Sequence, residues 1–337
     1  MGAARIGLDV LGGDRAPEAI LDGVFQAIDP AQETPIDPDR LVLFGDQEAM
    51  ERAFESRGGN PGCHLVHAPE SIGMDEKPGQ ALRAKQRSSI VLGTGAVKAG
   101  QTGAFVSMGN TGAVVGAATL MLRTLPGVRR PAIAVTQNLT GRPVTVLDMG
   151  ASVVLKPEDL VVYAVMGTIL QRDCMGVAQP RVGLLNIGEE ESKGTELLQT
   201  AHGLLRQAPV RFVGNVEGRD LFEDQADVVV TGSFTGNVVL KLMEGMAGFM
   251  LGQIMGALKA HNAAWAPEVL AGLKRQVDYS EYGGALLLGV GGVVVIGHGR
   301  SDGRAVRNAL GLAARALDAG VNDSIVRGLA AGGAVGA

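Results

Sequence analysis

The chain has 337 residues, 46% of them hydrophobic and 19% charged, which is enough apolar material for a large core and excludes a disordered protein. Its net charge of -5 gives no indication of a nucleic-acid partner. The two cysteines, Cys63 and Cys174, lack the spacing of a disulfide framework or a zinc site, which indicates a reduced compartment and no metal. The first residues lack the apolar core of a signal peptide, and we expect no transmembrane segment.

Short runs rich in Val, Ile and Leu alternate along the chain with longer helical patterns. The runs predict strands, in chain order, at Ile6–Val10, Leu41–Gly45, Ala104–Ser107, Ala132–Val135, Val144–Asp148, Val182–Ile187, Phe212–Gly214, Val228–Thr231 and Val293–Ile296. The helical patterns predict helices at Pro17–Ile28, Asp46–Arg57, Gln80–Ala99, Asn110–Arg123, Pro157–Asp173, Gly194–Gln207, Gly236–Ala260 and Arg304–Ala319. Apolar strands, each followed by a helix, are typical of an α/β fold with a mainly parallel sheet covered on both faces. We predict one catalytic domain over 1–337, or two intimate lobes, with ligands at the carboxyl ends of the strands.

One segment at such a strand end has the composition of a phosphate-binding turn. It follows a predicted strand, opens a predicted helix, and supplies hydroxyls, an amide and glycines from Ser107, Gly109, Asn110, Thr111 and Gly112. Phosphate needs convergent donors, a helix N-terminus and little side-chain bulk. The segment is not a Walker loop, since the Gly-Lys-Ser/Thr ending is missing. An ordinary capped turn is the alternative.

Four charged or ionisable residues in other predicted turns are candidates for catalysis. Asp14 follows a Gly-Gly turn and, with Asp9 at the end of the preceding strand, could hold a proton or orient a ligand group, or it could simply cap the next helix. Lys193 follows three acids, in what would otherwise be a solvated loop, and could pair with an anionic ligand. Arg219 suits phosphate binding, unless it pairs with Asp220. His298, between two glycines, could reach a ligand or be structural.

The predicted helix Gly236–Ala260 is rich in methionine and other apolar residues. Such a surface is typical of core or dimer packing, and the alternative is an adaptable surface for acyl chains or a membrane. Lys259, Lys274 and Arg275 form a basic flank beside it. We therefore treat 236–275 as a protruding or dimer-packing helical segment.

Taken together in this order, the turn motifs closely resemble the PlsX family of bacterial phosphate acyltransferases over nearly the whole chain. The motifs are Gly12-Gly13-Asp14, Met74-Asp75-Glu76-Lys77-Pro78, Gly109-Asn110-Thr111-Gly112-Ala113, Leu125-Pro126-Gly127 with Arg130-Pro131-Ala132-Ile133, Asn186-Ile187-Gly188-Glu189-Glu190, Asn215-Val216-Glu217-Gly218-Arg219-Asp220, Tyr282-Gly283-Gly284-Ala285 and Gly297-His298-Gly299-Arg300-Ser301. Any one of them is weak evidence, whereas all eight in register are specific. The chain departs from the family pattern at Leu11, Arg15, Ser152 and Gly232-Ser233.

The resemblance implies a Rossmann-like α/β/α sandwich related to the phosphate acetyltransferase and isocitrate dehydrogenase-like fold. It implies transfer of a fatty acyl group from acyl carrier protein to inorganic phosphate, giving acyl phosphate for glycerophospholipid synthesis. It also implies a cytoplasmic homodimer, peripheral membrane association in some members, and a membrane glycerol-3-phosphate acyltransferase as a further partner. A short-chain acyl-CoA:phosphate acyltransferase and a noncatalytic scaffold that binds acyl carrier protein are the alternatives.

Direct transfer agrees with the chemistry of the two substrates. Phosphate is already a nucleophile and a thiolate already a good leaving group, so catalysis needs mainly positioning and stabilisation of an oxyanion. We therefore expect no covalent intermediate, metal or cofactor. The resulting assignment gives Ser107, Gly109, Asn110, Thr111 and Gly112 to phosphate, Lys193 and Arg219 to charge neutralisation, Asp14 and His298 to orientation or proton handling, and Lys259, Lys274 and Arg275 to acyl carrier protein.

Overall fold

The structure is a computed structural model that describes residues 4–139, 141–260 and 283–332. The strands are β1 (Ile6–Asp9), β2 (Leu41–Gly45), β3 (His64–His67), β4 (Ala104–Ser107), β5 (Ala132–Asn138), β6 (Pro143–Leu147), β7 (Arg181–Leu185), β8 (Arg211–Val216), β9 (Val228–Val230), β10 (Ala285–Leu288) and β11 (Val293–Ile296). The α-helices are α1 (Glu18–Ile28), α2 (Gln47–Glu55), α3 (Pro78–Ala84), α4 (Ser89–Lys98), α5 (Thr111–Met121), α6 (Pro157–Met175), α7 (Glu196–Leu205), α8 (Ser233–Ala260), α9 (Gly303–Asp318) and α10 (Val321–Ala331). The chain divides into two compact units.

The first unit comprises Met1–Pro131 with Tyr282–Ala331. Its strands lie in the order β3-β2-β1-β4-β11-β10. All neighbours are parallel except β10 and β11, which are antiparallel. The central strands are short and fully buried, as expected when helices cover both faces of a sheet.

Close helix packing and aromatic contacts build the core of this unit. Gly23 of α1 lies against Val306 of α9 so closely that a Cβ at position 23 would collide with the valine side chain. The rings of Phe44 and Phe105, on β2 and β4, meet edge to face with centroids 6.3 Å apart. These contacts pack α1 against α9 and join β2 to β4 within the core.

The second unit comprises Ala132–Glu281 with Gly332–Ala337. Its strands lie in the order β5-β6-β9-β7-β8, with β5 antiparallel to β6 and the others parallel. Helix α6 is buried on several faces, including the fully buried Tyr163. A Cβ at Gly167 would collide with Val228, so α6 lies directly on the sheet.

Helix α8 carries many exposed apolar side chains. Exposed fractions run from 80% at Phe234 through 61% at Leu242 and 58% at Phe249 to 38% at Ile254. Its span Ser233–Leu258 is long and apolar enough to cross a bilayer, with 6% of its most apolar window buried. Such length and composition also occur in helices of soluble proteins. The expected absence of a transmembrane segment therefore remains a prediction.

The structure has a strand or helix in every predicted region, with ends shifted by at most a few residues, and corrects two points. The predicted helix Gln80–Ala99 is two helices, because α3 ends at Ala84 and α4 begins anew after Ser88, whose side chain caps it by accepting from Val91 N. The short strands β3 and β10 were not predicted, and neither was α10. The segment 236–275 is helical up to residue 260, and its remainder lies outside the described residues.

Candidate active site

Three turns of the first unit meet at the carboxyl ends of its strands. β1 and β11 both pair with β4, so the residues following these strands are neighbours. Asp14 N donates to Gly299 O at 2.7 Å, and Gly297 N donates to Ser107 O at 2.9 Å. The structure thus brings together Asp14, His298 and the predicted phosphate turn, which the sequence places far apart.

Asn110 organises this cluster from within. Its Oδ1 accepts a hydrogen bond from Ala113 N at 3.0 Å, which caps α5. Its Nδ2 faces the carbonyl oxygens of Gly73, Met74 and Glu76 at 3.1 Å each. Both ends of the amide are therefore used inside the chain. Asn110 holds the 73–76 loop against the start of α5.

An ion pair secures the same loop from its other side. Glu76 Oε1 accepts hydrogen bonds from Gly73 N at 2.7 Å and from Lys85 Nζ at 2.5 Å. Lys85 Nζ also donates to Ser71 O at 2.8 Å. The hydrogen bond from Lys85 lowers the pKa of Glu76 below its usual value, so the carboxylate is charged near neutral pH. The Met74–Pro78 motif is consequently a fixed wall of the cluster.

Thr111 and Gly112 are the members of the predicted phosphate turn that face solvent. As the first two residues of α5, they carry N–H groups without acceptors inside the helix. The Thr111 hydroxyl lies beside them. This set of donors at a helix N-terminus is suited to an anion.

Ser107, by contrast, is fully buried. Its Oγ donates to Asp9 Oδ2 at 2.7 Å and accepts from Gly109 N at 3.0 Å. Ser107, Gly109 and Asn110 therefore lie behind the exposed donors and shape the turn.

Asp14 and His298 lie on opposing turns of this cluster. The Asp14 carboxylate is exposed, and a Cβ at Gly299 would come within 3.0 Å of its Oδ2. His298 is half-buried, and its backbone N–H donates to Ser301 Oγ at 3.2 Å. Gly297 packs onto the Met108 side chain so closely that a Cβ there would overlap the sulfur. The glycines on either side of His298 thus let two turns approach each other.

Lys193 and Arg219, the two predicted neutralising cations, lie in the second unit, beyond the ends of β7 and β8. Lys193 Nζ is 3.8 Å from Glu190 Oε2, and its side chain is 46% exposed. The loop that carries it is held by Asn186, whose Nδ2 donates to Lys193 O at 3.1 Å. Lys193 is therefore presented on an anchored loop with one carboxylate beside it.

Arg219 has a more acidic environment. Its Nε lies 3.4 Å from both Glu217 Oε2 and Asp220 Oδ1, and a terminal nitrogen lies 3.7 Å from Glu189 Oε1. The guanidinium side chain is 66% exposed. The structure thus contains the ion pair with Asp220 that was the alternative to a phosphate-binding role for Arg219. The exposed part of the guanidinium still leaves room for an anion.

Two buried carboxylates at strand ends have no role in the site assignment drawn from the sequence. Asp9 ends β1, and Asp148 directly follows β6. Asp148 accepts hydrogen bonds from the backbone N–H groups of Ile133, Gly150, Ala151 and Ser152 at 2.9–3.0 Å. Burial raises the pKa of each carboxyl, and the hydrogen bonds oppose that rise. The sequence signal for both residues is an aspartate at the end of an apolar strand.

The predicted carrier-protein residues cannot be placed in this geometry. Lys274 and Arg275 lie outside the described residues, as does the side chain of Lys259 at the end of α8. Within 4–139, 141–260 and 283–332, no group of three His, Cys, Asp or Glu side chains has the arrangement of a metal site.

Comparison with known proteins identifies the family. The family model described as "Fatty acid synthesis protein" matches residues 4–324. The chain belongs to this family. A phosphate acyltransferase from Heliobacterium modesticaldum is 46% identical over 317 residues, covering 92% of each chain. One from Myxococcus xanthus is 42% identical over 334 residues, covering 96% of this chain and 93% of the relative.

These relatives confirm the resemblance drawn from the turn motifs: the protein is an enzyme of a phosphate acyltransferase family. Solved structures confirm the fold. The EutD phosphotransacetylase from Staphylococcus aureus has a TM-score of 0.60 at 15% identity, covering 94% of each chain. A 4-hydroxythreonine-4-phosphate dehydrogenase from Klebsiella pneumoniae has a TM-score of 0.55, also at 15% identity. The α/β fold shared with phosphotransacetylases and a dehydrogenase is the predicted one.

Proposed function

We propose that this member of the fatty acid synthesis protein family transfers a fatty acyl group from acyl carrier protein to inorganic phosphate. The product, an acyl phosphate, would serve glycerophospholipid synthesis. The observation that carries the proposal is the exposed start of α5. There, Thr111 and Gly112 offer a hydroxyl and two N–H groups that have no acceptor within the helix, in a family whose relatives are phosphate acyltransferases.

In the proposed reaction, a phosphate oxygen attacks the thioester carbonyl carbon. The carbon–sulfur bond then breaks and the carrier leaves as a thiolate. The start of α5 holds phosphate, and the buried residues Ser107 and Asn110 keep its donors aligned. Lys193 and Arg219 neutralise substrate charge, while Asp14 and His298 orient the reacting groups or handle a proton. These roles are proposals for each residue.

The partner assignments rest on family resemblance and on the exposed apolar surface of α8. We propose that this surface packs in a homodimer or receives acyl chains or a membrane, and that the enzyme works in the cytoplasm at the inner face of the membrane. Acyl carrier protein is strongly acidic, so Lys259, Lys274 and Arg275 would form its docking site. A membrane glycerol-3-phosphate acyltransferase would receive the product.

Thr111→Val tests the phosphate site, because it removes one donor while keeping side-chain size. Losing a hydrogen bond to a charged group costs about 1.5–3 kcal/mol. We therefore expect the Michaelis constant for phosphate to rise at least about tenfold, with the constant for thioester nearly unchanged. Thr119→Val is the matched control, since Thr119 lies in the same helix and its hydroxyl donates to Val115 O at 2.7 Å. If the Thr111→Val variant has the phosphate kinetics of the wild type, this turn is not the phosphate-binding site.

The acyl donor is tested by comparing carrier-protein thioesters with coenzyme A thioesters of the same chain length. Acyl phosphate formed faster from the carrier-protein thioester supports the proposal, and preference for short coenzyme A thioesters supports the alternative enzyme. Absence of product from both would favour the noncatalytic scaffold. Replacing Lys274 and Arg275 together by Glu should raise the Michaelis constant for carrier-protein thioester alone and flatten its salt dependence.

A further inference from the structure

The Asp9 carboxylate has no part in the chemistry proposed above, yet it lies directly beneath the proposed phosphate turn. It is fully buried at the end of β1. Burying a carboxylate is costly unless hydrogen bonds compensate. In the described part of the chain no Lys or Arg is paired with it, and its hydrogen-bond partners are hydroxyl and backbone N–H groups.

The hydrogen bonds of Asp9 connect three segments of the first unit. Oδ1 accepts from Leu11 N at 3.1 Å, within the turn that leads to Asp14. Oδ2 accepts from Ser107 Oγ at 2.7 Å, at the end of β4. The Ser89 hydroxyl, at the start of α4, and the Gly12 N–H also hydrogen-bond to the carboxylate.

The bond to Ser107 has a defined direction. Ser107 Oγ accepts from Gly109 N at 3.0 Å, so its single proton is free to be donated to Asp9. The carboxylate therefore orients the hydroxyl, and the hydroxyl orients the Gly109 peptide two residues before Thr111. This relay runs from β1 to the residues that begin α5.

The two turns joined by this relay are also in direct contact. A Cβ at Gly12 would collide with Asp9 Oδ2 and would come within 2.8 Å of Gly109 N. The Gly12–Gly13 turn thus rests on the phosphate turn with no side chain between them. A small change in Asp9 would be passed directly to both turns.

We propose that Asp9 is a positioning residue that sets the alignment of the phosphate-binding turn through Ser107. The inference rests on the proposed assignment of phosphate to the start of α5. It requires no contact between Asp9 and substrate. It predicts that Asp9 and Ser107 act as one unit on phosphate and leave the thioester unaffected.

The experiment compares Asp9→Asn, Ser107→Ala and the double variant in the full-length protein. Asn keeps the shape of the side chain, but its amide donates toward Ser107 Oγ and leaves the hydroxyl proton without its acceptor. Inorganic phosphate is titrated calorimetrically, and Michaelis constants for phosphate and thioester are measured in parallel. We expect each single variant to weaken phosphate binding at least about tenfold, as for one lost hydrogen bond to a charged group. The double variant should be no weaker than the worse single variant, because the residues share one relay.

Asp227→Asn is the matched control for loss of a buried carboxylate. Asp227 is 5% exposed in the second unit, where it accepts from Arg181 N at 2.8 Å and from Arg181 Nε at 3.0 Å. We expect this variant to lose stability but to bind phosphate like the wild type. Unchanged phosphate binding in either Asp9→Asn or Ser107→Ala, or additive losses in the double variant, would overturn the inference. If Asp9→Asn does not fold, Ser107→Ala decides.

This test separates the inference from the proposed function. If the wild type binds phosphate and forms acyl phosphate but Asp9→Asn binds phosphate normally, the positioning role is wrong and the function stands. If the wild type forms no acyl phosphate but both relay variants lose phosphate binding, the positioning role stands and the acyl-transfer proposal falls.

Discussion

Asn110 offers the sharpest test of how the site is built, because its one amide performs two separable tasks. Asn110→Asp keeps the size of the side chain and the oxygen that caps α5 through Ala113 N. It removes the donors that face the carbonyl oxygens of Gly73, Met74 and Glu76. Asn110→Ser also keeps a capping oxygen and removes the donors, but it adds no charge.

The expected cost follows from these contacts. The two protons of Nδ2 can satisfy about two full hydrogen bonds, each with a net contribution of about 1 kcal/mol. Asn110→Ser should therefore lower the free energy of unfolding by about 2 kcal/mol. Asn110→Asp also points a carboxylate at carbonyl oxygens, which favourable interaction with the helix dipole offsets only in part. We expect a total loss of about 2–4 kcal/mol for Asp.

Urea unfolding followed by circular dichroism measures the loss, and hydrogen exchange locates it. Amides of the 71–77 loop should exchange faster in both variants, while those in the middle of β4 keep their protection until global unfolding. If both variants unfold within about 0.5 kcal/mol of wild type, or if loop protection is unchanged, the amide does not hold the loop. If only Asn110→Asp loses stability, the effect comes from the added charge rather than from the lost donors.

Three further predictions concern charged and ionisable groups. Burial raises the pKa of the Cys63 thiol to about 11, so iodoacetamide at pH 8 should label it slowly in the native state, and treated enzyme should stay active. Burial works to raise the pKa of Asp227, but the hydrogen bonds from Arg181 outweigh it and hold the pKa below its usual value. The stability that this pair supplies is therefore fully present above about pH 4 and is lost as the pH falls through the lowered pKa of Asp227. The urea midpoint of Asp227→Asn should accordingly fall less steeply with decreasing pH than that of the wild type. Lys193→Met should raise the Michaelis constant for phosphate more than Arg219→Gln does. One carboxylate lies beside Lys193 and three lie beside Arg219, so the charge of Arg219 is already more fully neutralised within the protein. A larger effect at Arg219 would contradict this ranking of the two cations.

The elements that could be read from the sequence were those with a strong local pattern. Apolar runs such as β4 and β11 have the same ends in the prediction and the structure. The strand β3 was missed because two of its four residues are histidines, and its partner β2 lies in a different part of the sequence. The break between α3 and α4 was missed because serine is compatible with both the interior and the start of a helix. Ser88, which caps α4, therefore did not reveal the break from the sequence alone.

The candidate site shows the same division between local and distant information. The exposed start of α5 was recognisable from a single turn of sequence. The partners of Asn110 and Ser107 were not, because they lie 34 to 37 and 98 positions away. The local partners of Asp9, the N–H groups of Leu11 and Gly12, do not distinguish it from a polar residue at the end of any strand. Its importance depends on which strands become neighbours, and that is a property of topology.

The exposed apolar face of α8 makes the protein's associations depend on temperature in a predictable way. Burial of apolar surface is driven mainly by entropy near room temperature and weakens on cooling, whereas sulfate strengthens it. Whatever covers Phe234, Leu242 and Phe249 should therefore bind more tightly when warm and in sulfate. Docking through basic residues responds in the opposite direction to added salt. A single series of binding measurements across temperature and ionic strength would therefore separate contacts made by the face of α8 from contacts made by its basic flank.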